Sequence, residues 1–119
     1  MGTYRPVRLG RLIQEKIGAL IVEGRIKDPR VDSSLSISRV EVSRDLSYGD
    51  VYVSGYKSRE GLLKGIEGLQ SAAGFIQAQL NGQMRLRQTP RLRFHEDQGI
   101  RGGFEMIQKI EELLNHEGG

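Results

Sequence analysis

Residues 58–94 read SREGLLKGIEGLQSAAGFIQAQLNGQMRLRQTPRLRF, and the rest of the chain is organised around them. In the first half, Leu62, Ile66, Leu69, Ala73, Ile76 and Leu80 recur at steps of three or four, which is one stripe of an amphipathic helix. A second stripe is small: Gly61, Gly65, Gly68 and Ala72. A glycine inside a helix costs roughly 1 kcal/mol relative to alanine, so a row of them implies a very close neighbour on that side. Gly74 follows and is the expected kink point. The second half changes character. Arg85, Arg87, Arg91 and Arg93 have odd numbers, Leu86, Leu92 and Phe94 even ones, and no acid stands between Glu67 and Glu96. In an extended run the arginines share one face and the apolar residues the other.

The 119 residues allow one domain, 1–119, with its core at about 6–115 and short flexible ends. Cysteine is absent, which excludes disulfides and thiol chemistry and suits a reducing cytoplasm. No apolar run reaches the ~18–20 residues of a membrane span, and no secretory leader is expected. The net charge of +3 is unevenly spread. Residues 1–30 carry seven Lys/Arg against three acids, and residues 61–95 five against one. Residues 31–60 sum to −1 and residues 96–119 to −4. Two basic regions in a small domain favour a polyanionic partner; ordinary solvated charge is the alternative.

Around the central stretch, Leu9, Ile13, Ile17, Leu20 and Ile21 make a buried stripe, so a helix is expected from about 6 to 24, stopped at Gly24, with residues 1–6 frayed. Lys27-Asp28-Pro29-Arg30 is a turn. Residues 35–43 alternate, but the phase slips: Leu35 and Ile37 are odd, Val40 and Val42 even. Either a bulge sits near Ser38–Arg39 or the strand starts at Arg39. Residues 48–56 form a second strand, with Val51 and Val53 on one face and Tyr48, Tyr52 and Tyr56 on the other. Helices at 59–72 and 74–84, a strand at 91–96 behind Pro90, and an acidic helix at 103–115 complete the chain. The class is α+β, a three-stranded sheet with helices on one face.

No catalytic set converges. His95 continues the arginine face, and His116 is in the tail. Glu111 and Glu112 are neighbours that point apart on a helix. Asp45 and Asp50 flank a hairpin and are expected to cap its turn. Sixteen glycines include no phosphate loop of nucleotide hydrolases. No enzyme activity, cofactor or metal is expected. What remains is basic residues and aromatics, the materials of RNA recognition: phosphate-contacting cations, helix-start amides and stacking rings. A break at Gly74 presents such amides, although a plain packing kink is an equal alternative. The tyrosines also read as simple cover for an open sheet face. The candidate RNA-binding residues are Arg85, Arg87, Arg91, Arg93, Arg44, Lys64, Gly74, Arg8 and Arg11.

Several stretches in collinear order resemble the bacterial ribosome-binding factor A family. They are Ile26-Lys27-Asp28-Pro29-Arg30, then Val40-Glu41-Val42-Ser43-Arg44-Asp45-Leu46 leading into Val51-Tyr52-Val53-Ser54, then Ala72-Ala73-Gly74-Phe75-Ile76, Met84-Arg85-Leu86-Arg87 with Pro90, Leu92 and Phe94, and Asp97 with Ile100. The resemblance covers about residues 6–115. It implies a KH-like domain of the second topological type, in which an Ala-x-Gly kink, here Ala72-Ala73-Gly74, replaces the usual Gly-x-x-Gly loop. It also implies a cytoplasmic, monomeric, non-enzymatic assembly factor. Such a factor binds the immature small (30S) ribosomal subunit and its 16S rRNA and supports late maturation, including 5′-end processing, above all in the cold. Gly49 departs from the pattern, where alanine is common, as does Gln98-Gly99 before Ile100. The runner-up is a protein-interaction adaptor on the ribosome with little direct RNA contact.

Overall fold

The computed structural model describes residues 4–55, 58–84 and 89–97. Helix α1 spans Tyr4–Val22, strands β1 and β2 span Leu35–Val42 and Tyr48–Gly55, helices α2 and α3 span Arg59–Ser71 and Ala73–Met84, and strand β3 spans Arg91–Glu96. The sheet order is β1-β2-β3. β1 and β2 form the expected antiparallel hairpin. β3 lies parallel to β2, which α2 and α3 make possible as the crossover. The expected helix at 103–115 lies outside the described residues, as do Tyr56, Arg85, Leu86 and Arg87.

The α1 stripe is buried as its spacing requires, with Ile13 and Ile17 fully covered. The helix starts at Tyr4, two residues before the expected start, so Pro6 sits inside its first turn, where a missing N–H leaves no broken bond. It ends in a glycine cap. Gly24 takes φ +66°, and the Arg25 N–H donates to Leu20 O at 3.0 Å. At Gly10 the helix backbone touches the sheet: a Cβ there would stand 2.5 Å from Val40 O.

The phase slip in β1 is a bulge. The register runs Ile37↔Val53 and then Arg39↔Tyr52, leaving Ser38 unpaired. Its hydroxyl donates to Tyr52 O at 3.0 Å. The Gln14 side-chain amide donates to Ile37 O at 3.1 Å and to Ser38 O at 3.3 Å. The bulge turns Leu35, Ile37, Val40 and Val42 toward the same helices despite their mixed parity.

The glycine stripe of α2 meets the turn before β1. A Cβ on Gly65 would lie 2.7 Å from a methyl of Leu35, and one on Gly68 would lie 2.9 Å from Val31 and 3.1 Å from Asp28. That turn is braced by Arg30, whose Nε and Nη2 donate to Asp28 at 2.9 and 2.7 Å and whose Nη2 also reaches Ser71 Oγ at 3.2 Å. The break between α2 and α3 falls at Ala72, not at Gly74. Gly74 is already helical and exposed, and a Cβ on it would meet nothing within 4 Å. It is therefore neither the expected kink point nor a packing requirement, and the alternative of a plain packing kink finds no close neighbour there.

Candidate nucleic-acid interface

The sheet has a covered face and an open one. Alternation along β3 sends Leu92 and Phe94 into the core and leaves Arg91, Arg93 and His95 exposed. Along β2, Val51 and Val53 are fully buried, while Tyr48 and Tyr52 take the other side. The registers set Tyr48 beside Arg91, Asp50 beside Arg93 and Tyr52 beside His95, with Arg39 of β1 on the far side of Tyr52.

This arginine face contains an acid that the local sequence hides. Asp50 is no turn cap: Arg93 Nε and Nη2 donate to its two oxygens at 2.9 and 3.1 Å, and His95 Nε2 lies 2.8 Å from Oδ1. Partial burial works against ionisation of Asp50, but the hydrogen bonds from His95 and Arg93 outweigh it and hold the carboxyl below its ordinary range. Arg93 also stacks over Tyr48 at 4.5 Å from the ring centroid, and Arg39 over Tyr52 at 4.1 Å. The Tyr52 and His95 rings stand 5.3 Å apart. Arg39 was not among the sequence candidates. Its signal was the alternation of β1 beyond the bulge, which aims it outward beside a tyrosine.

The nine candidates do not share one surface. Arg91 and Arg93 lie on the open face, and Arg44 stands in the β1–β2 turn at the end of the sheet where the Arg91 N–H donates to Ser47 O at 2.8 Å. Asp45 ties that turn, accepting from the Ser47 and Ser43 hydroxyls at 2.6 and 2.8 Å, bonds that keep its carboxyl below the usual range. Arg8 and Arg11 are exposed on α1, in the helix layer. Arg11 nonetheless shares a groove of about 350 Å³ with Arg39 at the β1 edge. Lys64 is on the solvent side of α2, 3.8 Å from Glu60. Gly74 opens α3. Arg85 and Arg87 lie outside the described residues.

Beside Gly74 is a second basic surface. Arg25, Lys27, Asp28, Ser71, Ala72 and the exposed Phe75 line a groove of about 330 Å³ at the α2–α3 break, with the Asp28 carboxylate already held by Arg30. Arg25 donates to Gln79 Oε1 at 3.1 Å, and Lys27 to Gly24 O at 3.4 Å. These cations belong to the basic N-terminal region, but nothing in their local pattern tied them to the break. Among the described residues no cluster of three or more acids or histidines is arranged to hold a metal ion, and no helix is long and apolar enough to cross a membrane.

Residues 5–114 match the family model described as Ribosome-binding factor A. The chain is 47% identical over 113 residues to the ribosome-binding factor A of Treponema denticola, covering 95% of this chain and 86% of that protein. It is 39% identical over 115 residues to that of Caldanaerobacter subterraneus, covering 97% and 93%. Among solved structures, the fold is similar to a Thermotoga maritima protein determined by solution NMR, with TM-score 0.70, 36% identity and coverage of 82% and 91%. It is also similar to the crystal structure of Thermus thermophilus ribosome-binding factor A, with TM-score 0.65, 27% identity and coverage of 76% and 93%. A homology model of the Thermus thermophilus factor, fitted into the cryo-EM map of its complex with the 30S subunit, matches with TM-score 0.63, 26% identity and coverage of 79% and 97%. The α+β arrangement of helices on one face of the sheet is the KH-like fold of these structures. With 110 of its residues matched by one family model and close relatives aligned over nearly its whole length, the chain belongs to the ribosome-binding factor A family.

Proposed function

We propose that this protein is a cytoplasmic, monomeric ribosome assembly factor. It binds the immature small ribosomal subunit, contacts 16S rRNA through its cations and supports late maturation, including 5′-end processing, with its greatest importance in the cold. The mechanism is stoichiometric: the protein holds an RNA region until maturation is complete and then leaves. The observation that carries the reading is family membership together with the relative fitted into a map of its 30S complex. Support for direct RNA contact comes from Arg91 and Arg44, exposed cations at one end of the open sheet face, and from Arg25 and Lys27 at the helix break. Each phosphate neutralised by such a cation releases condensed counterions, which supplies affinity without sequence readout.

A different surface favours the adaptor reading. Leu12 and Val22 of α1 are 46% and 79% exposed beside a groove of about 610 Å³ running along the free edge of β1. Exposed apolar area of this kind suits a protein neighbour. Chemical footprinting and cross-linking on immature small subunits separate the two. The RNA reading expects protected 16S rRNA nucleotides and cross-links from Arg91 or Arg44 to RNA. Cross-links to ribosomal proteins alone, with no protected nucleotide, would replace it by the adaptor.

A further inference from the structure

The open face of the sheet is unusual in what it lacks. Its outward positions on β1, β2 and β3 in the described residues are serines, charged residues and rings; every aliphatic side chain of these strands turns the other way. A protein neighbour, or a second copy of this chain, buries a centre depleted of charge, whereas the centre of this face is Asp50 paired with Arg93 and His95. This face offers flat π surfaces instead. Two of them are built stacks, the Arg39 guanidinium on Tyr52 and the Arg93 guanidinium on Tyr48, and the first is extended sideways by the His95 ring. Tyr48 and Tyr52 are four residues apart on one strand, so the stacks are about 13 Å apart at ~3.3 Å per residue. Asp50 stands between them and fixes Arg93 and His95 in place.

We propose that this face is a stacking platform for unpaired nucleotides of RNA. One base lies on the Arg39–Tyr52–His95 stack and another on the Arg93–Tyr48 stack, while Arg91, exposed beside Tyr48, meets the phosphate backbone. Bases splayed from a single strand stack on aromatic rings and on guanidinium planes alike, with little sequence preference, because every base has a π face. A duplex keeps its bases stacked inside and offers this face only phosphates. The charges agree with the occupant: Arg39, Arg91 and Arg93 outnumber Asp50 and Glu41, and Asp50 is already engaged by Arg93 and His95. The inference rests on the RNA-binding reading and assigns it a class of target, single-stranded rather than paired RNA.

The test uses the full chain, a short unstructured oligoribonucleotide and a duplex RNA of equal phosphate number. On titration with the oligoribonucleotide, the ring resonances of Tyr48, Tyr52 and His95 shift, and the duplex leaves them unmoved. Tyr52→Leu and Tyr48→Leu each weaken oligoribonucleotide binding about 5- to 140-fold, which is ~1–3 kcal/mol of stacking per base at ~1.4 kcal/mol per tenfold. Tyr52→Phe keeps the parental affinity. Arg39→Lys keeps the charge but loses the plane, so it lowers affinity with an unchanged salt slope. The proposal is overturned if the leucine variants bind like the parent, if the parent does not bind the oligoribonucleotide, or if its shifts fall only at the α2–α3 groove. In that last case the RNA reading survives while the platform does not. If 16S rRNA protection is also lost, both fail together.

Discussion

On the covered face of the sheet, Val51, Val53, Leu92 and Phe94 are buried in the core with the apolar stripes of the helices; on the open face, Tyr48, Asp50, Tyr52, Arg93 and His95 of the same two strands meet solvent and one another. The two sets alternate residue by residue, so one backbone serves both. The covered face is held by aliphatic packing, where each removed methyl leaves a void. The open face is held by charge and ring contacts that water can replace at little cost. The first should therefore govern stability, and the second should be free to serve binding.

The largest expected effect is on the covered side. Leu69 of α2 is fully buried, and Leu69→Ala should lower the unfolding free energy by about 2–5 kcal/mol. Denaturant titration measures it, and a loss under ~1 kcal/mol would mean that the helix layer is not close-packed. Next come the glycines, which divide sharply. Gly10→Ala pushes a methyl against the Val40 carbonyl, a backbone atom that cannot rotate away, and should destabilise by about 1–3 kcal/mol despite alanine's better helix propensity. Gly74→Ala meets open space and should stabilise by up to ~1 kcal/mol. The same denaturation series checks both, and equal losses at the two positions would erase the distinction between a packed and a free glycine.

The smallest effect is a pH dependence. The Arg30 side-chain hydrogen bonds hold the Asp28 carboxyl at about 2, against an ordinary 3.8. A carboxyl lowered on folding favours the folded state wherever it is ionised. Its contribution is therefore complete above about pH 4 and fades as the pH falls from 3.8 toward 2. Asp28→Asn should flatten the stability profile in that window and leave its shape above pH 5 alone, as thermal melts across pH will show. An unchanged acid limb would mean that the Asp28–Arg30 pair does not hold the turn.

What could be read from the sequence follows the range of each interaction. The α1 and α2 stripes, the alternation of β2 and β3 and the slip at Ser38–Arg39 are periodic over neighbouring residues, and all of them lie where the spacing places them. The closeness demanded by Gly65 and Gly68 was legible because the glycines repeat, although their neighbours Leu35 and Val31 were not. Gly10 lies eight residues from Gly18, the other glycine of α1, so the two make no row and gave no comparable sign. The pairing of Asp50 with Arg93 and His95 depends on β3 lying parallel to β2 across two intervening helices, a register that no local pattern encodes. For the same reason Arg25 and Lys27 could not be joined to the α2–α3 break. The break itself falls at Ala72 rather than Gly74: Ala72 leaves the helical conformation at φ −89° and ψ 5°, while Gly74 is already inside α3.

The central claim, that the open face binds RNA without supporting the fold, is tested most directly by a salt titration of small-subunit binding with the parent and the Arg91→Ala/Arg93→Ala variant. Both arginines are exposed, so the variant should unfold within about 1 kcal/mol of the parent. Its affinity for immature subunits should fall, and the slope of log affinity against log salt should flatten by about one unit for each phosphate that an arginine no longer neutralises. Equal affinities and equal slopes in a stably folded variant would contradict the account, leaving the arginine face as solvated surface and moving the adaptor ahead.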